Sequence, residues 1–98
     1  MIQYVWEFLA RPDRVKEFER HYASAGPWAE LFRKSGGYRG TVLLRDAENA
    51  RRYLTIDRWD SADAYRAMRE RFAKEHEELD RACEAFTESE RRIGAFEE

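Results

Sequence analysis

An α+β sandwich is the fold this sequence predicts: a ferredoxin-like, four-stranded antiparallel sheet with helices on one face. Three observations lead there. Residues 2–9, 39–46 and 52–59 have the composition and short period of strands. Residues 15–22 and 61–86 place apolar side chains at steps of three and four, the spacing of a helix face. Only the short connector AENA separates the second strand from the third, so those two form an antiparallel hairpin.

In the first strand, IQYVWEFL, Tyr4, Trp6 and Phe8 face one way and Gln3, Val5, Glu7 and Leu9 the other. Apolar residues in both sets predict a strand covered on both sides. Pro12 suits a first helical turn, where its missing N–H costs nothing. Val15, Phe18 and Tyr22 continue an amphipathic helix that ends near Gly26. Pro27 then opens a short turn bearing Trp28, Leu31 and Phe32, which Gly36-Gly37 stops.

After the hairpin, Asp60 or Ser61 is the N-cap of the next helix, either side chain being able to accept a first-turn N–H. Tyr65, Met68, Phe72, His76, Leu79, Cys83 and Phe86 form one continuous stripe. About 25 residues exceed an ordinary globular helix, so a bend or break is expected, although no Gly or Pro marks it. Residues 88–97 make a weaker strand, with Ile93 and Phe96 as large apolar residues. The sheet face away from the helices, with apolar residues on the first strand and at Thr41, Leu43, Leu54 and Ile56, would be bare. Its simplest cover is a second copy, which predicts a homodimer.

Composition narrows the function. Ninety-eight residues make one domain, 1–98, with three Trp, five Tyr and six Phe to fill its core. Eighteen basic side chains against twenty acidic ones offer no clustered basic surface for nucleic acid or an anionic membrane. A lone Cys83 leaves no intrachain disulfide, and no Cys/His spacing suits a metal. The start of the chain has neither a signal-peptide pattern nor a membrane span, so a cytoplasmic protein is expected. Nucleotide-binding glycine motifs are absent.

The segments YVWEF, RPDRVKEFERHY, GPWAELF, GYRGTVLL, YLTIDRWDSADAY and TESERRIGAF, in that order, resemble the antibiotic biosynthesis monooxygenase (ABM)-like superfamily. The resemblance covers nearly the whole chain. It implies that each subunit's sheet packs on another to form a dimeric α/β barrel, with a pocket between sheet and helices. Superfamily members include cofactor-independent monooxygenases of polycyclic phenols or quinols, haem-degrading enzymes, isomerases and binding proteins. Trp59 and Tyr65 look like the Trp and Tyr of the phenol-oxidising branch. Thr55 stands where that branch has an Asn, and Arg81 lies near the place of its Arg. His76 looks like the His of the haem-degrading branch, whereas Glu7 replaces its first-strand Asn and Tyr65 or Arg66 its Trp.

A cofactor-free oxygenase needs a base near the working pH, a donor for the developing oxyanion and an apolar slot for the ring. His76 is a candidate base, with Glu7 as an alternative if burial raises its pKa. Tyr65 is the third candidate catalytic residue, as a donor. Trp59, Asp57, Trp28 and Phe72 are the candidate substrate contacts, and Asp57 is a further possible base. Each also has a structural reading. Trp59, Tyr65, Trp28 and Phe72 can be core aromatics, His76 an edge histidine satisfied by a carboxylate or water, and Glu7 and Asp57 cross-strand partners of Arg45, Arg58 or Arg92. Three functions are carried forward: oxidation of a small aromatic or phenolic metabolite without a cofactor, non-catalytic binding of such a molecule, and haem binding or degradation.

Overall fold

The computed structural model describes all 98 residues. Its elements are β1 (Ile2–Ala10), α1 (Val15–Tyr22), α2 (Pro27–Arg33), β2 (Tyr38–Asp46), β3 (Asn49–Trp59), α3 (Ala62–Arg71), α4 (Ala73–Cys83), a 3₁₀ turn (Glu84–Phe86) and β4 (Thr87–Glu97). The strands form one sheet in the order β2-β3-β1-β4, every neighbouring pair antiparallel. This is the expected ferredoxin-like α+β architecture. No helix is long and apolar enough to cross a membrane.

The helices cover one face of the sheet. On β1 that face carries Tyr4, Phe8 and Ala10, and on β3 it carries Tyr53, Thr55 and Trp59, all buried. Phe18, Tyr22, Trp28, Leu31, Phe32 and Met68 pack down from the helices to complete the core. Aromatic rings in contact dominate this layer, and each can remove roughly 150–250 Å² from water.

Several boundaries differ from the sequence reading. Pro12 lies before α1, not inside it: the Arg14 amide bonds to the Arg11 carbonyl in a tight turn, and Arg14 is the N-cap. The β2–β3 hairpin is tighter than AENA suggested, because β3 starts at Asn49 and Asp46 accepts the Glu48 N–H at 2.8 Å. Ser61 caps α3 by accepting from Ala64 N–H at 3.1 Å, while Asp60 pairs with Arg39 instead. The long apolar stripe breaks at Phe72, whose φ of −113° and ψ of 30° leave the helical region. Lys34 and Arg71 lie over the Phe72 ring there. The weak C-terminal strand extends over eleven residues.

Thr41 and Leu43 do not belong to the bare face. They stand opposite Asp57 and Thr55 of β3, so they share the helix-covered face, and Leu43 packs against the core. Leu54 and Ile56, opposite Glu7 and Val5, do lie on the open face, which also exposes Val42, Leu44 and Phe96, with Leu44 46% and Phe96 50% exposed.

Glu7 also lies on this open face. It stands between Leu54 of β3 and Arg91 of β4 and pairs with Arg52 at 2.5 Å and Arg91 at 3.0 Å. The alternation of β1 separates it from Tyr4, Trp6 and Phe8, whose side chains point to the helices.

Candidate functional site

A half-open cavity of about 190 Å³ lies between the sheet and the helices. The inward residues of three strands form its floor: Tyr4, Trp6 and Phe8 from β1, Thr41 from β2, and Thr55 and Asp57 from β3. Tyr65 and Arg69 of α3 and His76 of α4 close it from above, with Trp28 of α2 on one wall. Seven of its fourteen lining residues are hydrophobic, and the other seven, Asp80 and Glu90 among them, bring polar and charged groups that can orient a ligand against the aromatic walls.

Asp57 is the most perturbed acid of this site. Burial pushes its carboxyl up to about 6, against an ordinary value of 3.8, and the Thr41 hydroxyl partly offsets this by donating to it at 2.7 Å. Thr41 has one proton to donate, so it accepts the hydroxyl proton of Tyr38 in turn. Asp57 forms no ion pair, and Arg45, Arg58 and Arg92 are not its partners. A carboxylate poised near neutral pH in an apolar slot is suited to accept a proton from a weakly acidic substrate.

His76 is half-buried, its ring packed edge-on against Trp28 with centroids 4.9 Å apart. Burial lowers its pKa below the usual 6.5, and Arg69 pushes in the same direction. The imidazole is therefore neutral at pH 7 and can accept a proton. Tyr65 stacks obliquely on Tyr4 at 4.2 Å, and its hydroxyl receives a hydrogen bond from Arg69 at 3.0 Å. One turn of α3 separates Tyr65 from Arg69, which is why both reach the cavity.

Of the residues singled out by sequence, Asp57, Tyr65, His76 and Trp28 line the cavity together. Glu7 does not: it is on the opposite side of the sheet, and its two arginines hold its carboxyl below the usual range, the Arg52 hydrogen bond most strongly. Trp59 is completely buried behind the cavity, edge-on to Tyr65 at 5.7 Å and to Phe32 at 5.6 Å. It supports Tyr65 from behind without lining the slot. Phe72, at the helix break, packs against the core beside the cavity and is not one of its walls. Thr55 does line the cavity, and Arg81 pairs with Glu77 on the outer surface of α4.

Arg69 and Thr41 were not singled out from sequence. The i, i+4 spacing from Tyr65 was available for Arg69, but it was equally available for many charged residues of this helix. Thr41 was assigned to the wrong face.

With this geometry in place, comparisons with known proteins fall into a consistent pattern. The sequence profile of the family "ABM: Antibiotic biosynthesis monooxygenase" matches residues 1–75. No curated protein sequence matches significantly. Among solved structures, a point mutant of SnoaB, a cofactor-independent oxygenase from Streptomyces nogalater, superposes with a TM-score of 0.82 at 23% identity, over 99% of this chain and 91% of that one. A structure from Bordetella bronchiseptica named for the same family gives 0.76 at 26% identity, over 99% and 95%. PA3566 from Pseudomonas aeruginosa gives 0.73 at 16% identity, over 99% and 92%. The structural likenesses carry the fold, and the profile covers most of the chain: this protein belongs to the antibiotic biosynthesis monooxygenase family.

Proposed function

We propose that this protein is a cofactor-independent monooxygenase acting on a small aromatic or phenolic metabolite. The observation that carries the reading is Asp57, a carboxylate held near neutral pH on the floor of an aromatic-walled cavity. The cavity of about 190 Å³ exceeds the roughly 150 Å³ that admits a benzene ring, so a substituted single ring fits within it. Larger substrates would extend through the open side.

The chemistry follows from those groups. Asp57 takes the acidic proton of a phenol or its ring-activated CH₂ tautomer, with neutral His76 as the second acceptor facing the slot. The resulting anion is electron-rich at carbon and reduces O₂ itself: a carbon–oxygen bond forms, and the terminal oxygen of the peroxide takes back the proton held by Asp57 to give a hydroperoxide. Loss of water across that O–O bond leaves a carbonyl: one CH₂ and one O₂ become one C=O and one H₂O. Tyr65, polarised by Arg69, donates to the oxyanion while charge builds. Trp28, Trp6 and Phe8 hold the ring and exclude water from the anion.

We place the work in a homodimer within a reducing cytoplasm. Val42, Leu44 and Phe96, exposed on the open sheet face, support a second copy as its cover, and the single cysteine, Cys83, is buried and unpaired.

Oxygen uptake with a panel of dihydroxyaromatics and quinols tests the activity. Uptake that depends on the protein and falls at least about a hundredfold in Asp57→Asn supports the assignment. Equal uptake by the variant refutes Asp57 as the base. Saturable ligand binding without uptake from any substrate would instead make this a binding protein.

A further inference from the structure

Asp57 must begin each turnover as a carboxylate, because only the ionised form can take a proton from the substrate. Burial works against that form, and the Thr41 hydroxyl works for it by donating to Asp57 at 2.7 Å. A threonine hydroxyl has one proton and can turn it elsewhere. The group that holds it in place is Tyr38, whose hydroxyl is bonded to Thr41 Oγ1. With the Thr41 proton given to Asp57, Tyr38 is the donor of that pair. Thr41 and Asp57 line the cavity, whereas Tyr38 is partly buried behind them and does not.

A backbone irregularity brings the two hydroxyls together. Tyr38 and Thr41 are three residues apart, and in a regular strand they would point to opposite faces. The pairing slips between Tyr38 and Gly40, so that Tyr38 stands opposite Trp59, Gly40 opposite Arg58 and Thr41 opposite Asp57. This β-bulge inserts one residue and returns both side chains to the helix-covered face. Gly40 supplies the φ of +116° that the bulge requires, a conformation strained for any residue with a Cβ. Phe32 and Trp59 hold the Tyr38 ring, with centroids at 5.5 and 5.3 Å.

We infer that Tyr38 is a positioning residue for the base: by donating to Thr41 it commits the one Thr41 proton to Asp57, and so favours the carboxylate with which each turnover begins. The inference rests on Asp57 being the base of the proposed reaction. A hydrogen bond given to the charged form of an acid stabilises that form, and bonds in a chain strengthen one another. Without Tyr38 the Thr41 hydroxyl is free to turn and accept from a protonated Asp57, so the preference for the charged form weakens. No proton travels along the pair. Tyr38 and Thr41 keep theirs throughout, touch no reacting atom and act through Asp57, whose borrowed proton returns to the peroxide.

The groups that titrate or carry charge around Asp57 are Tyr4 opposite it on β1, Tyr22 on α1, Tyr65 and Arg69 on α3, His76 and Asp80 on α4, and Glu90 on β4, with Arg33 of α2 acting on Tyr38. None of them forms a hydrogen bond or ion pair with Asp57, so Thr41 is the neighbour whose removal changes its titration directly. Burial raises the Tyr38 pKa above the usual 10, and the Asp57 charge adds to it, so Tyr38 stays an O–H donor at neutral pH.

The test follows the Asp57 carboxyl ¹³C resonance from pH 4 to 9 in wild type, Tyr38→Phe, Thr41→Val and Thr41→Ser, beside the pH profile of kcat/KM for oxygen uptake by the same proteins. Phenylalanine keeps a ring between Phe32 and Trp59, so packing is retained. Tyr38→Phe should raise the Asp57 midpoint by about half a pH unit and Thr41→Val by about one, while Thr41→Ser, which keeps the hydroxyl, should match wild type. The acid limb of kcat/KM should move up with the midpoint. At pH 5 the loss should be about threefold in Tyr38→Phe and about tenfold in Thr41→Val, and at pH 8 both should equal wild type. A wild-type midpoint in Tyr38→Phe overturns the inference, and so does a loss of uptake that is equal at pH 5 and pH 8, the mark of a purely structural role. Midpoints that move as described while no substrate consumes oxygen overturn the oxygenase reading, and with it a part for Tyr38 in that reaction.

Discussion

Asp57→Asn should make the protein more stable at neutral and alkaline pH, and the structure sets the size of the gain. In the unfolded chain an aspartate titrates at its ordinary 3.8, whereas burial in the fold raises Asp57 to about 6. The folded protein therefore binds more protons than the unfolded chain between those two values, and Asp57's contribution to stability falls as pH rises through that window. At 1.36 kcal/mol per pH unit, the gap of about 2.2 corresponds to about 3 kcal/mol, fully expressed above about pH 7. Asparagine keeps an oxygen to accept from Thr41 but carries no charge to desolvate. Urea unfolding at fixed protein concentration should show Asp57→Asn ahead of wild type by up to about 3 kcal/mol at pH 8, about 1.6 kcal/mol at pH 5 and about half a kcal/mol at pH 4. Glu7, Asp46 and Asp60, whose carboxyls arginine neighbours or backbone amides hold below the usual range, impose the opposite slope on both proteins and cancel in the difference. Two parallel stability curves across pH 4–8 would show that the cavity does not desolvate Asp57, and the base assignment would lose its physical ground. A gain in stability together with a loss of turnover is the expected cost relationship of a functional charge.

Trp59→Ala should lower stability by about 3–5 kcal/mol in denaturant melts, because the indole is completely buried among Phe32, Tyr38 and Tyr65 and its loss leaves a large void. Leu44→Asp, on the open sheet face, should convert a dimer to monomers by light scattering at micromolar concentration, while a wild-type mass of one chain would refute the dimer itself. Glu7→Gln should leave oxygen uptake within about twofold of wild type, since the whole sheet separates it from the cavity; a loss comparable to that of Asp57→Asn would contradict the placement of the base. The cavity beside His76, about 190 Å³, falls short of the roughly 300 Å³ at which sites for larger ligands begin, so addition of haem should produce no Soret shift, and a shift abolished by His76→Ala would revive a haem-binding function.

The legible part of this fold was local. Side-chain period marked the strands and helices, Asp60 and Ser61 between them announced a helix by offering a capping oxygen, and the excessive length of the apolar stripe from Tyr65 to Phe86 implied a break. Those signals lie within a few residues of each other, where geometry is set by backbone periodicity alone. The carboxylates were different. Glu7 and Asp57 both sit in strands, and β1 carries apolar residues on both faces, so alternation could say that its side chains divide into two sets but not which set the helices cover. Tertiary packing made that choice: it left Glu7 among arginines on the open face and put Asp57 in the cavity under the helices, which alone separates an ion-paired carboxylate from a carboxyl that burial raises to about 6. The bulge at Gly40 decided the rest. One inserted residue reverses the alternation between Tyr38 and Thr41, and no period read along the chain reveals it, because the register between two strands exists only once they are paired.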